Sequence, residues 1–352
     1  MKGILTIVLI CTTFCMCNGQ KEISVVVDER VELITATQLL FGYPLVGQAP
    51  VDYKTEVENA FTKYAQDSTI NNLLLQTQDD FSFSKPFSYT FHFSFPEFIQ
   101  QHPFSETTVE NLRINERKES LQQYNQNLKL FYNKSDFHTF FINHKAFYES
   151  MINEVKAVVD KYDLADQLEK YYGQEQKSYT LVLSPLFIEA GMSIWVETKQ
   201  GGELYSIIGP NLSSKSKPDF DTDWIMQYLV IHEFSHPFCN PLIEKYFPEM
   251  QKDSCLFEPI KSALNKQGCG DWKSALCEML TRANEILIIR NIFGSSVSDK
   301  IKADYLKQKW IYLEELIPLM EKYQSVRKKY PNLESIMPEV VETFHRVASG
   351  CR

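Results

Sequence analysis

The chain has 352 residues, 44% of them hydrophobic, enough to bury the core of one large domain or two ordinary ones. Its formal net charge is -9, from 36 Lys and Arg against 45 Asp and Glu, with no basic block. That composition excludes a disordered chain and lacks the clustered positive face of a nucleic-acid binder.

The opening residues, "MKGILTIVLICTTFCMCNGQK", read as an export signal over residues 1–19. Lys2 supplies the positive start, an apolar run follows, and Asn18, Gly19 and Gln20 end it too early for a bilayer span. Lipid attachment is the rival reading, because Cys11, Cys15 and Cys17 lie in the run. Ile10, Phe14 and Met16 stand before them, however, where a small residue would be wanted. The expected location is therefore periplasmic or extracellular, with no membrane span in the mature chain. Five cysteines remain: Cys239, Cys255, Cys269, Cys277 and Cys351. Export permits disulfides, and Cys255 with Cys269 is the easiest local pair.

After the signal, "EISVVVDERVELITATQLLFGYP" begins as a short strand and turns helical at Val31, Leu33, Ile34 and Leu39. Residues 51–76 read as helix, with Val57, Ala60, Phe61 and Tyr64 on one face. In "FSFSKPFSYTFHFSFPEF", aromatic residues from Phe81 to Phe95 recur at alternate positions, which predicts one or two half-buried strands. An aromatic binding surface is the sharper alternative. Residues 110–173 are helical by pattern. Then "SYTLVLSPLFI", "GMSIWVET" and "ELYSIIG" predict three short strands in a meander or hairpin, with "GMSIWVE" a candidate edge. Asp221 or Thr222 can cap a helix beginning near Asp223, and the rest of the chain is nearly all helical.

That helix carries "YLVIHEFSHPFCNP". Residues four apart lie on one helical face, so His232 and His236 can aim two imidazoles at one metal ion. Glu233 is turned about 100° away, beside such an ion, where it can act as a general base toward a zinc-activated water. With 7 His and 29 Glu in 352 positions, H-E-x-x-H is expected by chance about 0.01 times. Pro237 lacks an N–H and would clash within a helix, which predicts that the helix ends or kinks there with His236 in its last turn.

A third protein ligand is needed, and no Gly and third His follow the motif as they do in metzincins. The helical pattern "DWKSALCEMLTRANEILIIR" is the best source. Glu278 stands there among Leu276, Met279 and Leu280, where an unpaired carboxylate is costly. Glu285 and Asp271 are weaker candidates, and a salt bridge to Arg282 is the plain explanation of Glu278. Cys239 could face the site as a thiolate, though a buried thiol or disulfide suits it better. His345 is the only other histidine late enough to fold back over the motif, and it or a Tyr could stabilise an oxyanion.

The motif with a downstream glutamate resembles the gluzincin branch of the zincin metallopeptidases. The mature chain is more closely similar to a family of exported bacterial proteins catalogued as a domain of unknown function. Three places carry this likeness: "DERVELITATQLLFGYP" with Glu32, "HEFSHPFCNP", and "CEMLTRA" with Glu278, Arg282 and Ala283. The resemblance implies His232, His236 and Glu278 as zinc ligands and Glu233 as base. The sequence thus predicts an α+β, zincin-like protein, mostly helical with a small sheet beside the metal-binding helix. It would divide into an N-terminal lobe (20–176) and a catalytic region (177–352). The expected activity is zinc-dependent hydrolysis of a peptide or protein substrate. The alternatives are a non-peptide zinc hydrolase, or an exported binding protein with a structural or relic zinc and an aromatic surface at residues 81–95.

Overall fold

This computed structural model describes residues 21–351 apart from 79 and 80. The expected export signal lies outside the described residues. The architecture is α+β, helices gathered around a four-stranded sheet of order β1-β2-β4-β3. Its strands are β1 (Ile23–Val26), β2 (Ser178–Leu183), β3 (Gly191–Thr198) and β4 (Gly201–Ile208). β1 pairs in parallel with β2, and β2 in parallel with β4, while β3 and β4 form an antiparallel hairpin. β1 therefore joins the two regions expected from sequence into one sheet.

The three later strands do not form a meander. β2 runs Leu181, Val182 and Leu183 fully buried, as an inner parallel strand does. The following segment does not turn back as a hairpin; it pairs with the N-terminal loop. Gly47 N–H donates to the Leu186 carbonyl at 2.7 Å, and Val46 bridges to Phe187. That carries the chain across, so that β3 becomes an edge strand, as expected for "GMSIWVE". Met192, Ile194 and Val196 face the core with period two.

The aromatic stretch departs from expectation more sharply. No strand forms over residues 81–95; a helix spans Lys85–Thr90, and only an isolated bridge joins Phe93 to Gln100. Pro86 explains much of this, since it cannot donate to a ladder but fits a first helical turn. Phe83 adds a left-handed backbone (φ 51°) that breaks any pleat. The alternation reported aromatic content rather than a strand period. Phe81, Phe87, Tyr89 and Phe91 are buried, so the stripe is largely core and not a surface.

None of the five described cysteines is in a disulfide, so the expected Cys255–Cys269 bridge is absent. Cys269 lines the cleft described below, whereas Cys255 sits on the turn Gln251–Phe257, which packs on the helix Met337–Ala348.

The motif helix, Val230–Met250, follows a short π-helical segment at Ile225–Leu229. It lies between β3 and β4 on one side and a second long helix, Trp272–Phe293, on the other. Every residue of 230–239 is buried, so this half of the helix has no solvent-exposed face. The expected break at Pro237 does not occur. The helix continues through Pro237, Pro241 and Pro248, and His236 lies in its interior. An interior proline costs about 3 kcal/mol, and burying one large apolar side chain returns about 1.5–3 kcal/mol. Ile231, Phe234, Phe238 and Ile243 are all buried here, so packing outweighs the local defect.

At the first helix, Glu29–Leu40, Asp28 caps by accepting from Arg30 N–H at 2.8 Å. Glu32 is fully buried within it and accepts from Ser184 Oγ at 2.7 Å. Burial raises its pKa from 4.5 to about 7, against hydrogen bonds from Ser184 and Tyr53. A folded-state pKa raised in this way gives stability that is complete below pH 4.5 and lost as pH rises through about 7. Relative to Glu32→Gln, the wild-type chain should lose roughly 3 kcal/mol of unfolding free energy between pH 4 and 8. Urea unfolding of the two proteins across that range measures it, and parallel pH profiles would remove this assignment.

Candidate metal centre

The motif helix presents His232 and His236 one turn apart, with Nε2 atoms 3.1 Å from each other. Glu278 reaches them from the neighbouring helix. Its Oε2 is 3.4 Å from His232 Nε2, and its Oε1 is 3.5 Å from His236 Nε2. Ligands of a tetrahedral ion at 2.0–2.1 Å bonds stand about 3.4 Å from one another, and the two Nε2 atoms and the Glu278 carboxylate approach that spacing, with a different carboxylate oxygen facing each ring.

The far side of each imidazole is occupied. His232 Nδ1–H donates to Glu285 Oε2 at 2.9 Å, and Tyr305 OH donates to Glu285 Oε1 at 2.8 Å. His236 Nδ1–H donates to Asn240 Oδ1 at 3.2 Å, with Thr281 Oγ1 also nearby at 3.3 Å. With Nδ1 of each imidazole engaged on the far side, Nε2 is the atom of each ring that faces the shared point. Glu285, a weaker candidate for the third ligand, thus meets the opposite nitrogen of His232 and orients it. Its spacing from Glu278, seven residues, is the signal that places both on one helical face. Nothing in the sequence pointed to Tyr305, which arrives from the helix Ser295–Lys307.

The remaining candidates lie elsewhere. Asp271 caps the second helix by accepting from Ser274 N–H at 2.9 Å. His345 pairs with Asp253. Cys239 is buried beside Tyr172 and Asn284, and burial raises its thiol pKa to about 12. The Arg282 guanidinium is 3.1 Å from Glu278 and stacks over the rings of Tyr305 and Trp310 at 4.6 and 4.5 Å. The salt bridge expected as the plain explanation therefore exists beside the convergence of donors.

Burial governs the electrostatics. It would raise Glu278, yet Arg282 and the two imidazoles hold its carboxyl well below the usual range. Burial lowers His236 to about 4, which favours the neutral ligand form. Burial and Arg282 also press His232 down, but hydrogen bonds to Glu278 and Glu285 bring it above the imidazole range. Glu233 is 6% exposed, and burial raises it from 4.5 to about 7.

Glu233 and the two histidines also have donor atoms within 4.8 Å of one another. Glu278 also has an oxygen within 3.5 Å of each Nε2 atom, so either carboxylate could serve as a third donor. Glu233 lies against the start of β3. A Cβ on Gly191 would come within 2.6 Å of Glu233 Cγ and 2.7 Å of its Oε1. The whole set opens into a cleft of ≈ 1310 Å³, lined also by Leu45, Phe83, Ile188, Met192 and Tyr228. The donor set of two imidazoles, one ionised carboxylate and oriented far-side nitrogens suits a zinc ion.

The chain belongs to the family described as Domain of unknown function (DUF4932), whose profile matches residues 23–343. No curated protein and no solved structure matches it.

Gly191→Ala should push Glu233 out of its place and lower unfolding free energy by about 1–3 kcal/mol, the usual cost of overpacking. Denaturant unfolding together with a crystal structure of the variant checks this. An unmoved Glu233 and unchanged stability would mean that the close approach constrains nothing.

Proposed function

We propose that this chain is a zinc-dependent hydrolase of the zincin type, acting on peptide bonds. The observation that carries the reading is the convergence of His232, His236 and Glu278 at 3.1–3.5 Å, with Glu233 buried beside them in an open cleft. His232, His236 and Glu278 would hold the ion. Zinc in such a site supplies Lewis acidity, polarising a carbonyl and lowering the pKa of a water to about 7.

The chain's own residues do the rest. Glu233, raised to about 7, accepts a proton from the attacking water near neutral pH and returns it to the leaving amine nitrogen. Glu285 and Asn240 hold the imidazole planes, and Arg282 keeps Glu278 ionised. β3 supports a peptide as substrate. It is an edge strand whose first residues, Gly191, Met192 and Ser193, line the cleft, so an extended chain can pair along it. Residues 1–19, read as an export leader, would deliver the enzyme outside the cytoplasm.

Purified protein should contain about one zinc per chain by elemental analysis, and His232→Ala should lose it. Glu285→Gln should keep the ligands but weaken zinc affinity about ten- to a hundredfold, read by chelator competition. Glu233→Gln should retain zinc and lose about 10²–10⁴ of its peptide-hydrolysis rate. Undiminished turnover in that variant would sink the role given to Glu233.

A further inference from the structure

We infer that the wall of the cleft formed by Leu45, Phe83 and Ile188 is an apolar subsite that takes a bulky aliphatic or aromatic side chain of a peptide substrate. This rests on the peptide-hydrolase reading of the neighbouring site and adds the substrate class to it.

The lining combines these apolar side chains with charged ones, among them Lys266, Asp304 and Lys307. The same cleft is lined by His232, Glu233 and Gly191, the residue against which Glu233 lies. Glu189, next to Ile188 in the chain, accepts from Leu212 N–H at 3.3 Å.

Phe83 gives the wall its purpose. Phe81, Phe87, Tyr89 and Phe91 around it are buried, yet Phe83 remains 39% exposed. Its backbone occupies the left-handed region at φ 51°, which a bulky L-residue adopts only when its surroundings hold it there. They do so here. Phe83 N–H donates to Tyr43 OH at 3.0 Å, and the ring packs against Phe187 with centroids 6.3 Å apart. Glycine would fill this position without strain. A strained aromatic residue, braced from behind and open toward a catalytic cleft, fits a surface that is completed by an apolar group from outside.

The test uses the full-length Glu233→Gln protein, which separates binding from turnover. Acetylated peptide amides Ala-Ala-Xaa-Ala-Ala, with Xaa as Phe, Leu, Ala or Asp, are titrated by calorimetry. The Phe and Leu peptides should bind about ten- to a hundredfold tighter than the Ala peptide, and the Asp peptide weakest. Adding Phe83→Gly relieves the left-handed strain, which offsets part of the packing lost with the ring, and a cooperative melting transition shows that the variant is folded. It should bring the Phe and Leu peptides to within about threefold of the Ala peptide, and Leu45→Ala should narrow the gap in part. Equal affinity for all four peptides, no binding of any, or a preference that survives both substitutions overturns the inference. Digestion of a peptide library by the wild-type chain separates the two readings. Cleavage without apolar preference sinks the subsite and leaves the hydrolase. Apolar-selective binding without cleavage keeps the subsite and sinks the hydrolase.

Discussion

Charged and polar groups buried between two apolar helices must be paired or they unfold the protein. His232, His236, Glu278, Glu285 and Arg282 are all crowded into the seam between the motif helix and its neighbour. Each partner there has a partner of its own. Arg282 holds Glu278, Glu285 holds His232, and Tyr305 holds Glu285. The packing of the helices and the pairing of the charges are therefore one requirement. Shifting either helix by a turn would leave a carboxylate buried without a counter-charge. The convergence of three donors follows from that lock as much as from the H-E-x-x-H spacing.

The site was legible where its logic is local. Two histidines four apart need only helical geometry, and Glu278 betrayed itself as a carboxylate among leucines and methionine. What stayed hidden depends on tertiary contacts. Pro237 reads as a helix end because a local rule sees only the missing N–H. The burial of Ile231, Phe234 and Phe238 that overrides it is a property of the assembled fold. Glu285 could be placed on the right face but not on the right nitrogen, since that depends on how two helices lean together. The strand order escaped for the same reason. β1 precedes β2 by about 150 residues of chain, and no periodicity records that the two pair.

The aromatic stretch at residues 81–95 carries a different lesson. Its alternation satisfied the strand template, but a proline and a left-handed residue redirected the backbone. The side chains still found the core, because burial depends on apolar area and not on which backbone delivers it. The N-terminal third of the chain thereby supplies Leu45 and Phe83 to a cleft whose ionisable groups come from the C-terminal half. Chemistry and shape are encoded in different parts of the sequence.

The three prolines inside the motif helix bear on the order of events in folding. Each removes one backbone hydrogen bond, so a free peptide of this sequence has little tendency to become helical. The pair of imidazoles then exists only once the sheet and the second helix have closed around it. In small zinc domains the ion organises an otherwise unfolded chain. Here the three prolines tie the pairing of the imidazoles to the packing of the core around the helix.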